Sequence, residues 1–267
     1  MIMASWNIRG VNDPFKQREL CSLVLKNKIC LLGLNETKVR EENSKRISDA
    51  LMQGWRARHN YQQHQNGRIW VLWNPDIVDV SILHMSEQVI HTKVTVTQKQ
   101  VSFFASFVYG LHSRREQGEL WQQLQCFSTQ AMASPWITLG DFNVVRRPEE
   151  RLGGNLHWSV ACEDLQKCCQ ALQLEDLHYT GHFLTWSKGS GDNFLSRKLD
   201  RVLVNHIWLQ EFEGAEACFL PPGSSDHSPM TVKLGISLHI RRPPFKFFDF
   251  WTSSPLYFDI VSQVWST

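Results

Sequence analysis

Asp141 and Asn143 close the stretch Leu139-Gly140-Asp141-Phe142-Asn143, which follows the apolar run Pro135-Trp136-Ile137-Thr138. Two residues apart on an extended backbone, they point the same way. One offers a carboxylate and the other an amide donor and acceptor, a pairing suited to orienting a water beside a phosphate. Alone, the stretch reads sooner as a polar turn after a strand, but it has companions. Glu36, after the apolar residues 29–34, is a hard oxygen ligand of the kind Mg²⁺ accepts while keeping several waters. Asp226 can add a second, water-bridged contact. His227, beside Asp226 and close to a second strand-end carboxylate, Asp200, suits a polarised imidazole facing a phosphate. Tyr109 can donate to a phosphate oxygen or help a leaving oxygen depart. With Asn7, these residues are the types that metal-assisted phosphodiester hydrolysis requires.

Such side chains converge only if strand ends deliver them, since ligands of α/β folds are met at the carboxyl ends of strands. The pattern predicts a strand over 2–6 ending at Asn7. A helix then starts at Asn12-Asp13-Pro14 with Leu20, Leu23 and Val24 buried, and a second strand spans 29–34. This order fits a crossover unit or a mixed sheet. Residues 41–52 read as a polar helix. Strands are expected over 68–73, 78–83, 89–97 and 101–108, the last two as a hairpin. A helix over 114–131 carries Leu120, Trp121, Leu124 and Phe127 on one face. Ser159 is expected to cap a helix through Cys162, Leu165, Cys169 and Leu172. Short strands follow at 185–186 and 199–204 around a Gly-rich loop (189–193). Residues 216–220 lead into Asp226-His227, and 230–234 form the final strand.

The chain has 267 residues, enough for one large α/β domain, with 42% apolar and 20% charged residues. A net charge of +2 and a pI near 8.2 are compatible with a polyanionic partner without arguing for one. Seven Cys without a Cys-x-x-Cys fit free thiols in a reducing compartment. Strand-like sequence from Ile2 leaves no room for a signal peptide, and no apolar run reaches the roughly 18 residues of a membrane span. An intracellular protein without a membrane partner is therefore expected. A domain boundary is expected near Gly235, giving a first domain over 1–234 and a second segment over 235–267. There Arg241-Arg242-Pro243-Pro244 reads as a linker, while Phe258, Val261 and Trp265 share a helical face. So much apolar surface in residues 245–267 implies docking, on this domain or on a further partner.

Six motifs in one order resemble those of the endonuclease/exonuclease/phosphatase (DNase I-like) superfamily. They are Ser5-Trp6-Asn7-Ile8-Arg9-Gly10, Leu34-Asn35-Glu36-Thr37-Lys38, Val108-Tyr109-Gly110, Leu139-Gly140-Asp141-Phe142-Asn143, Lys198-Leu199-Asp200-Arg201 and Ser225-Asp226-His227-Ser228-Pro229. Within it, the likeness is greatest to the apurinic-endonuclease-like domains of plant LINE-type (non-LTR) retrotransposons. Gly67-Arg68-Ile69-Trp70-Val71-Leu72-Trp73-Asn74-Pro75 and Phe219-Leu220-Pro221-Pro222-Gly223 also look typical of those elements. The resemblance covers residues 1 to about 234. Beyond it, Arg241-Arg242-Pro243-Pro244-Phe245-Lys246-Phe247-Phe248 resembles the segment that joins such a domain to a reverse transcriptase. With no reverse transcriptase following, the chain looks like a truncated or stand-alone copy.

The resemblance implies a four-layered α/β sandwich, two mixed β-sheets packed face to face with helices outside and the site at one rim. It implies a Mg²⁺-dependent endonuclease that nicks DNA, with Mn²⁺ as an alternative ion, and residence in the nucleus. Glu36 would hold the metal, Asn7 would sit beside metal and scissile phosphate, and Asp226 would assist. Asp200 would orient His227, Asp141 would position or deprotonate the attacking water with Asn143, and Tyr109 would contact the phosphate or leaving group. Either Asp141 or His227 is the base. In departure, Arg9 stands where the DNA-repair relatives have an Asp that assists the metal, and His112 lies near where they carry an Asn. Arg114, Arg115, Arg146, Arg147, Arg197 and Lys198, in loops near the proposed rim, are expected to contact DNA phosphates. A catalytically silent binding remnant, or a phosphatase acting on a small phosphoester, are the competing readings. His178 and His182, four apart around Thr180-Gly181, are not expected to hold a metal. Cys162, Cys168 and Cys169 read as helix core.

Overall fold

The structure, a computed structural model, describes residues 1–154, 160–235 and 248–265. The expected cap at Ser159 and the 241–244 linker lie outside the described residues. Two large mixed sheets dominate. The first has seven strands in the order Tyr179–Gly181, Glu216–Phe219, Met230–Lys233, Ile2–Asn7, Leu31–Asn35, Ile69–Trp73 and Arg56–His59. The second has six, in the order Glu175–Asp176, Asp200–Val204, Trp136–Asp141, Val101–Tyr109, Val89–Val96 and Val78–Met85. A small third sheet joins Trp186–Lys188, Leu195–Arg197 and Arg151–Leu152.

Alternation explains the layering, because each central strand sends successive side chains to opposite faces. Met3, Leu31, Val71, Phe103, Phe107, Leu139 and Val202 fill the space between the sheets. The sheets approach so closely there that a Cβ on Gly33 would collide with the Phe107 ring. The other face of the first sheet packs Trp6, Leu32 and Leu34 against Leu20 and Val24 of helix Pro14–Asn27 and Ile47 of helix Glu41–Leu51. That of the second sheet packs Val108, Trp136 and Leu203 against Leu120 and Leu124 of helix Arg114–Ala131 and Leu165 of helix Val160–Leu172. The four layers expected from the resemblance are present.

Local chemistry sets the helix ends. Asp13 accepts from the Phe15 amide at 2.8 Å, Pro14 opens the first turn, and Lys28 ends the helix in the left-handed region at φ 51°. Helix Tyr257–Trp265 forms as its periodicity predicts, with Phe258, Ile260, Val264 and Trp265 exposed. The seven cysteines are free thiols, Cys162, Cys168 and Cys169 among them buried. No helix among the described residues is long and apolar enough to cross a membrane.

Candidate active site

Strand pairing brings the polar strand ends to one rim. Ile2–Asn7 and Leu31–Asn35 run parallel with Asn7 opposite Asn35, so Glu36 follows directly beside Asn7. Val101–Tyr109 and Trp136–Asp141 run parallel with Tyr109 opposite Asp141, and antiparallel pairing sets Asp200 opposite Asp141 on its other side. The strand reaches Asp141 through Gly140, whose φ of 142° belongs to glycine and whose Cβ would strike the Val108 carbonyl. His227 precedes Met230–Lys233, the antiparallel neighbour of Ile2–Asn7, and so reaches the same rim.

The side chains form one connected network. The Asn7 amide nitrogen donates both to Glu36 Oε1 at 3.0 Å and to Asp141 Oδ2 at 2.9 Å. Glu36 Oε1 also accepts from Tyr109 Oη and from Arg9 Nη1, each at 3.1 Å. The backbone amide of Asn143 donates to Asp141 Oδ1 at 2.9 Å, while the Asn143 side chain donates to the Gly110 carbonyl at 2.6 Å. His227 Nδ1 bonds Asp200 Oδ2 at 2.9 Å, leaving Nε2 3.8 Å from Asp141 Oδ2. Thr185 Oγ1 donates to the same Asp200 oxygen at 2.7 Å. Asp226 accepts from Trp186 Nε1 at 3.0 Å and faces Arg9 Nε at 3.3 Å.

Burial sets the electrostatics. Asp141, Asp200 and His227 are essentially inaccessible. Burial pushes the Asp141 carboxyl up to about 7, against the pull of His227, with Asp200 adding to the rise. Burial works to lower His227, but Asp200 and Asp141 outweigh it and raise the imidazole to about 9. At neutral pH this imidazole is a cation, bonded to Asp200 and 3.8 Å from Asp141. Burial would raise Glu36, yet hydrogen bonds from Asn7, Arg9 and Tyr109 and the Arg9 charge hold it below the usual carboxylate range. Burial and the neighbouring carboxylates push the Tyr109 phenol up, so it stays a donor.

Asp141, Asp200 and His227 lie together, with one ligand atom from each within 4.8 Å of the others. Much of that capacity is spent internally, since Asp200 Oδ2 and His227 Nδ1 bind each other. The rim carboxylates fit a hard divalent ion better. Glu36 Oε1 takes three donors, but Oε2 has only a 3.5 Å contact with Arg9. Asp226 Oδ1 is buried without a hydrogen bond. Oxygen donors with spare lone pairs suit an ion that keeps most of its waters.

Two of the expected DNA contacts need correction. Arg146 and Lys198 are buried, and their charges are taken internally. Arg146 Nη1 lies 3.3 Å and Lys198 Nζ 3.6 Å from Asp176, and Lys198 also sits 3.6 Å from the centre of the Tyr179 ring. Arg201, fully buried, pairs with Glu150 and, at 3.3 Å, with Asp176. Cations used this way offer little to a phosphate. Arg115 and Arg147 are exposed and Arg197 half-buried; Arg114 is exposed but forked onto Asp164. Sequence reading missed Thr185 and Trp186 as partners of Asp200 and Asp226, taking them only for a short strand. No periodic signal marks such contacts.

A rim of this kind on two facing sheets defines a phosphoester hydrolase of the DNase I-like fold. The chain belongs to the endonuclease/exonuclease/phosphatase family, whose model matches residues 4–227. Among solved structures it is similar to the endonuclease domain of TRAS1, a telomere-specific non-LTR retrotransposon (13% identity, 87% of this chain and 97% of that one, TM-score 0.67). It is also similar to the AP endonuclease LMAP of Leishmania major (14% identity, 88% of each chain, TM-score 0.68). A third is the mannosyl-6-phosphatase Bt3783 of Bacteroides thetaiotaomicron (13% identity, 88% and 99%, TM-score 0.59). No curated protein matches the chain.

Proposed function

We propose that the chain is a Mg²⁺-dependent endonuclease of retrotransposon type that nicks DNA, with residues 1–234 as the catalytic domain and 235–267 a separate segment. The observation that carries this reading is the Asn7 amide, which ties Glu36 to Asp141 and so couples a metal-holding carboxylate to a water-activating one. Glu36 would hold the ion directly and Asp226 only through a bound water, and the ion when bound would supply Lewis acidity to a phosphate oxygen. Asp141, raised towards neutrality, accepts the proton of the attacking water, which the Asn143 region helps place. As the water oxygen bonds phosphorus, one ester bond to phosphorus breaks. Cationic His227, held by Asp200, faces the charge that develops on the phosphate. Tyr109 donates to a phosphate oxygen or the departing oxygen. Asp141 is thus the base and His227 the electrostatic partner. Exposed Arg114, Arg115 and Arg147 and half-buried Arg197 would track the DNA backbone.

Conversion of supercoiled plasmid to open circle in Mg²⁺ tests the reading, comparing wild type with Glu36→Ala and His227→Ala. Nicking that requires the ion and disappears in both variants is expected. A folded wild type that leaves plasmid intact but hydrolyses p-nitrophenyl phosphate would move the substrate to small phosphoesters. Inactivity on both would leave a binding remnant.

A further inference from the structure

The carboxylates best suited to a metal already face a cation supplied by the chain. Arg9 Nη1 lies 3.1 Å from Glu36 Oε1 and Nε lies 3.3 Å from Asp226 Oδ1, so one guanidinium spans both groups. The backbone is shaped for this contact. Arg9 and Glu36 both adopt left-handed conformations, at φ 51° and 49°, which cost energy for residues with side chains. The two loops are stitched together by the Gly10 amide on the Glu36 carbonyl at 2.7 Å and the Val11 amide on the Thr37 carbonyl at 2.8 Å. Lys16 Nζ holds the Ile8 and Arg9 carbonyls at 2.8 and 3.2 Å. Arg9 is therefore fixed at its backbone while its side chain remains partly exposed, and the tip alone is free to turn.

The two anchors differ. The contact with Asp226 runs through Nε, near the pivot of the side chain, and Asp226 is itself fixed by Trp186. The contact with Glu36 runs through the distal Nη1, onto an oxygen already shared with Asn7 and Tyr109. A small rotation about the guanidinium end breaks the second contact and keeps the first.

We propose that Arg9 is a resident counter-ion that competes with the metal for Glu36 and, when displaced, turns on its Asp226 anchor to bind a DNA phosphate oxygen beside the scissile bond. This rests on the reading of Glu36 as a metal-holding residue. Without metal, Arg9 neutralises the rim and is spent on Glu36. With metal, the planar fork is released from one carboxylate partner and suits a phosphate. Metal and DNA thereby strengthen each other's binding through one side chain, and linkage requires the coupling to be reciprocal.

The experiment measures Mn²⁺ binding by electron paramagnetic resonance on the full chain without DNA, for wild type, Glu36→Gln, Arg9→Gln and Arg9→Lys. Arg9→Gln removes the competing charge and is expected to bind Mn²⁺ about tenfold more tightly than wild type. Arg9→Lys keeps the charge and is expected to stay within about twofold of wild type. Duplex affinity is then measured by fluorescence anisotropy in the His227→Ala background, where turnover is blocked. Arg9→Lys is expected to match its parent in EDTA and to bind DNA about threefold to tenfold more weakly with Mn²⁺ present. This second comparison decides the matter even if Arg9→Gln does not fold. Glu36-dependent Mn²⁺ binding that Arg9→Gln leaves unchanged or weakens would overturn the role of Arg9 alone. So would a DNA effect of Arg9→Lys that is equal with and without the ion. Mn²⁺ binding indifferent to Glu36→Gln would instead overturn the metal site beneath both proposals.

Discussion

Asp200 and Arg201 are neighbours on one strand, and they face two different kinds of buried charge. On the Asp200 side, Asp141, Asp200 and His227 carry more carboxylate than cation, and Asp200 Oδ1 has no hydrogen-bond partner. On the Arg201 side, Glu150 and Asp176 are matched by Arg146, Lys198 and Arg201, and Asp176 alone receives all three cations. The first cluster leaves Asp200 Oδ1 unbonded and raises both the Asp141 carboxyl and the His227 imidazole. The second holds Asp176 low and Arg201 high, each in its ordinary charged form. Arg201 Nε is also buried without a hydrogen bond, so the difference lies in the sign and number of ion pairs. Carboxylate in excess of cation is poised for substrate, whereas a carboxylate held by three cations ties loop to sheet.

The contrast is open to direct tests. Largest should be the drop in nicking by His227→Ala, about a thousandfold in activity per folded molecule. A variant that unfolds instead would make the first cluster structural. Asp200→Asn keeps an oxygen for Thr185 but drops the charge, so nicking should fall by about a hundredfold or more while urea stability moves by less than about 1 kcal/mol. Arg201→Met should do the reverse. Leaving Glu150 and Asp176 short of a buried partner should cost about 3–5 kcal/mol in urea unfolding, with activity per folded molecule retained.

Lys198 gives a pH signature of the matched network. Burial lowers its ammonium to about 8, with Asp176 opposing, against an ordinary value of 10.5. The folded chain therefore gives up this proton before the unfolded one, and between those two values the unfolded state binds more protons. Wild-type stability should rise relative to Lys198→Met as pH climbs through that window, and a pH-independent difference would remove Lys198 from the network. The smallest effect concerns the surface. Replacing Arg115, Arg147 and Arg197 together should flatten the salt dependence of duplex binding, by about 0.9 in log–log slope for each phosphate no longer neutralised.

Much of this was legible in the sequence, because apolar runs that end in polar residues mark strands and their tips. Asn7, Glu36, Tyr109, Asp141, Asp200 and His227 all meet at one rim, as their positions after or before such runs imply. Strand Arg56–His59 escaped notice since three of its four residues are polar, its one apolar residue is the small Ala57, and it lies at a sheet edge. Arg146 and Lys198 read as surface charges because nothing local reveals a partner: Asp176 lies 30 residues from the first, in a two-residue strand. The Arg9 bridge was hidden for the same reason, since Glu36 and Asp226 come from opposite ends of the chain. Composition says which charges exist, and only the fold says which are already spent.

The placement of Ile2–Asn7 has a consequence for the timing of synthesis. This first strand lies between Leu31–Asn35 and Met230–Lys233, so one neighbour is made almost at once and the other only near the end of the domain. At ribosomal speeds the wait is on the order of ten seconds or more. Throughout it, Asn7 and Glu36 can meet, but His227 has not yet been translated. A nascent chain therefore passes through most of its synthesis with Asn7 and Glu36 present and the rim site unassembled.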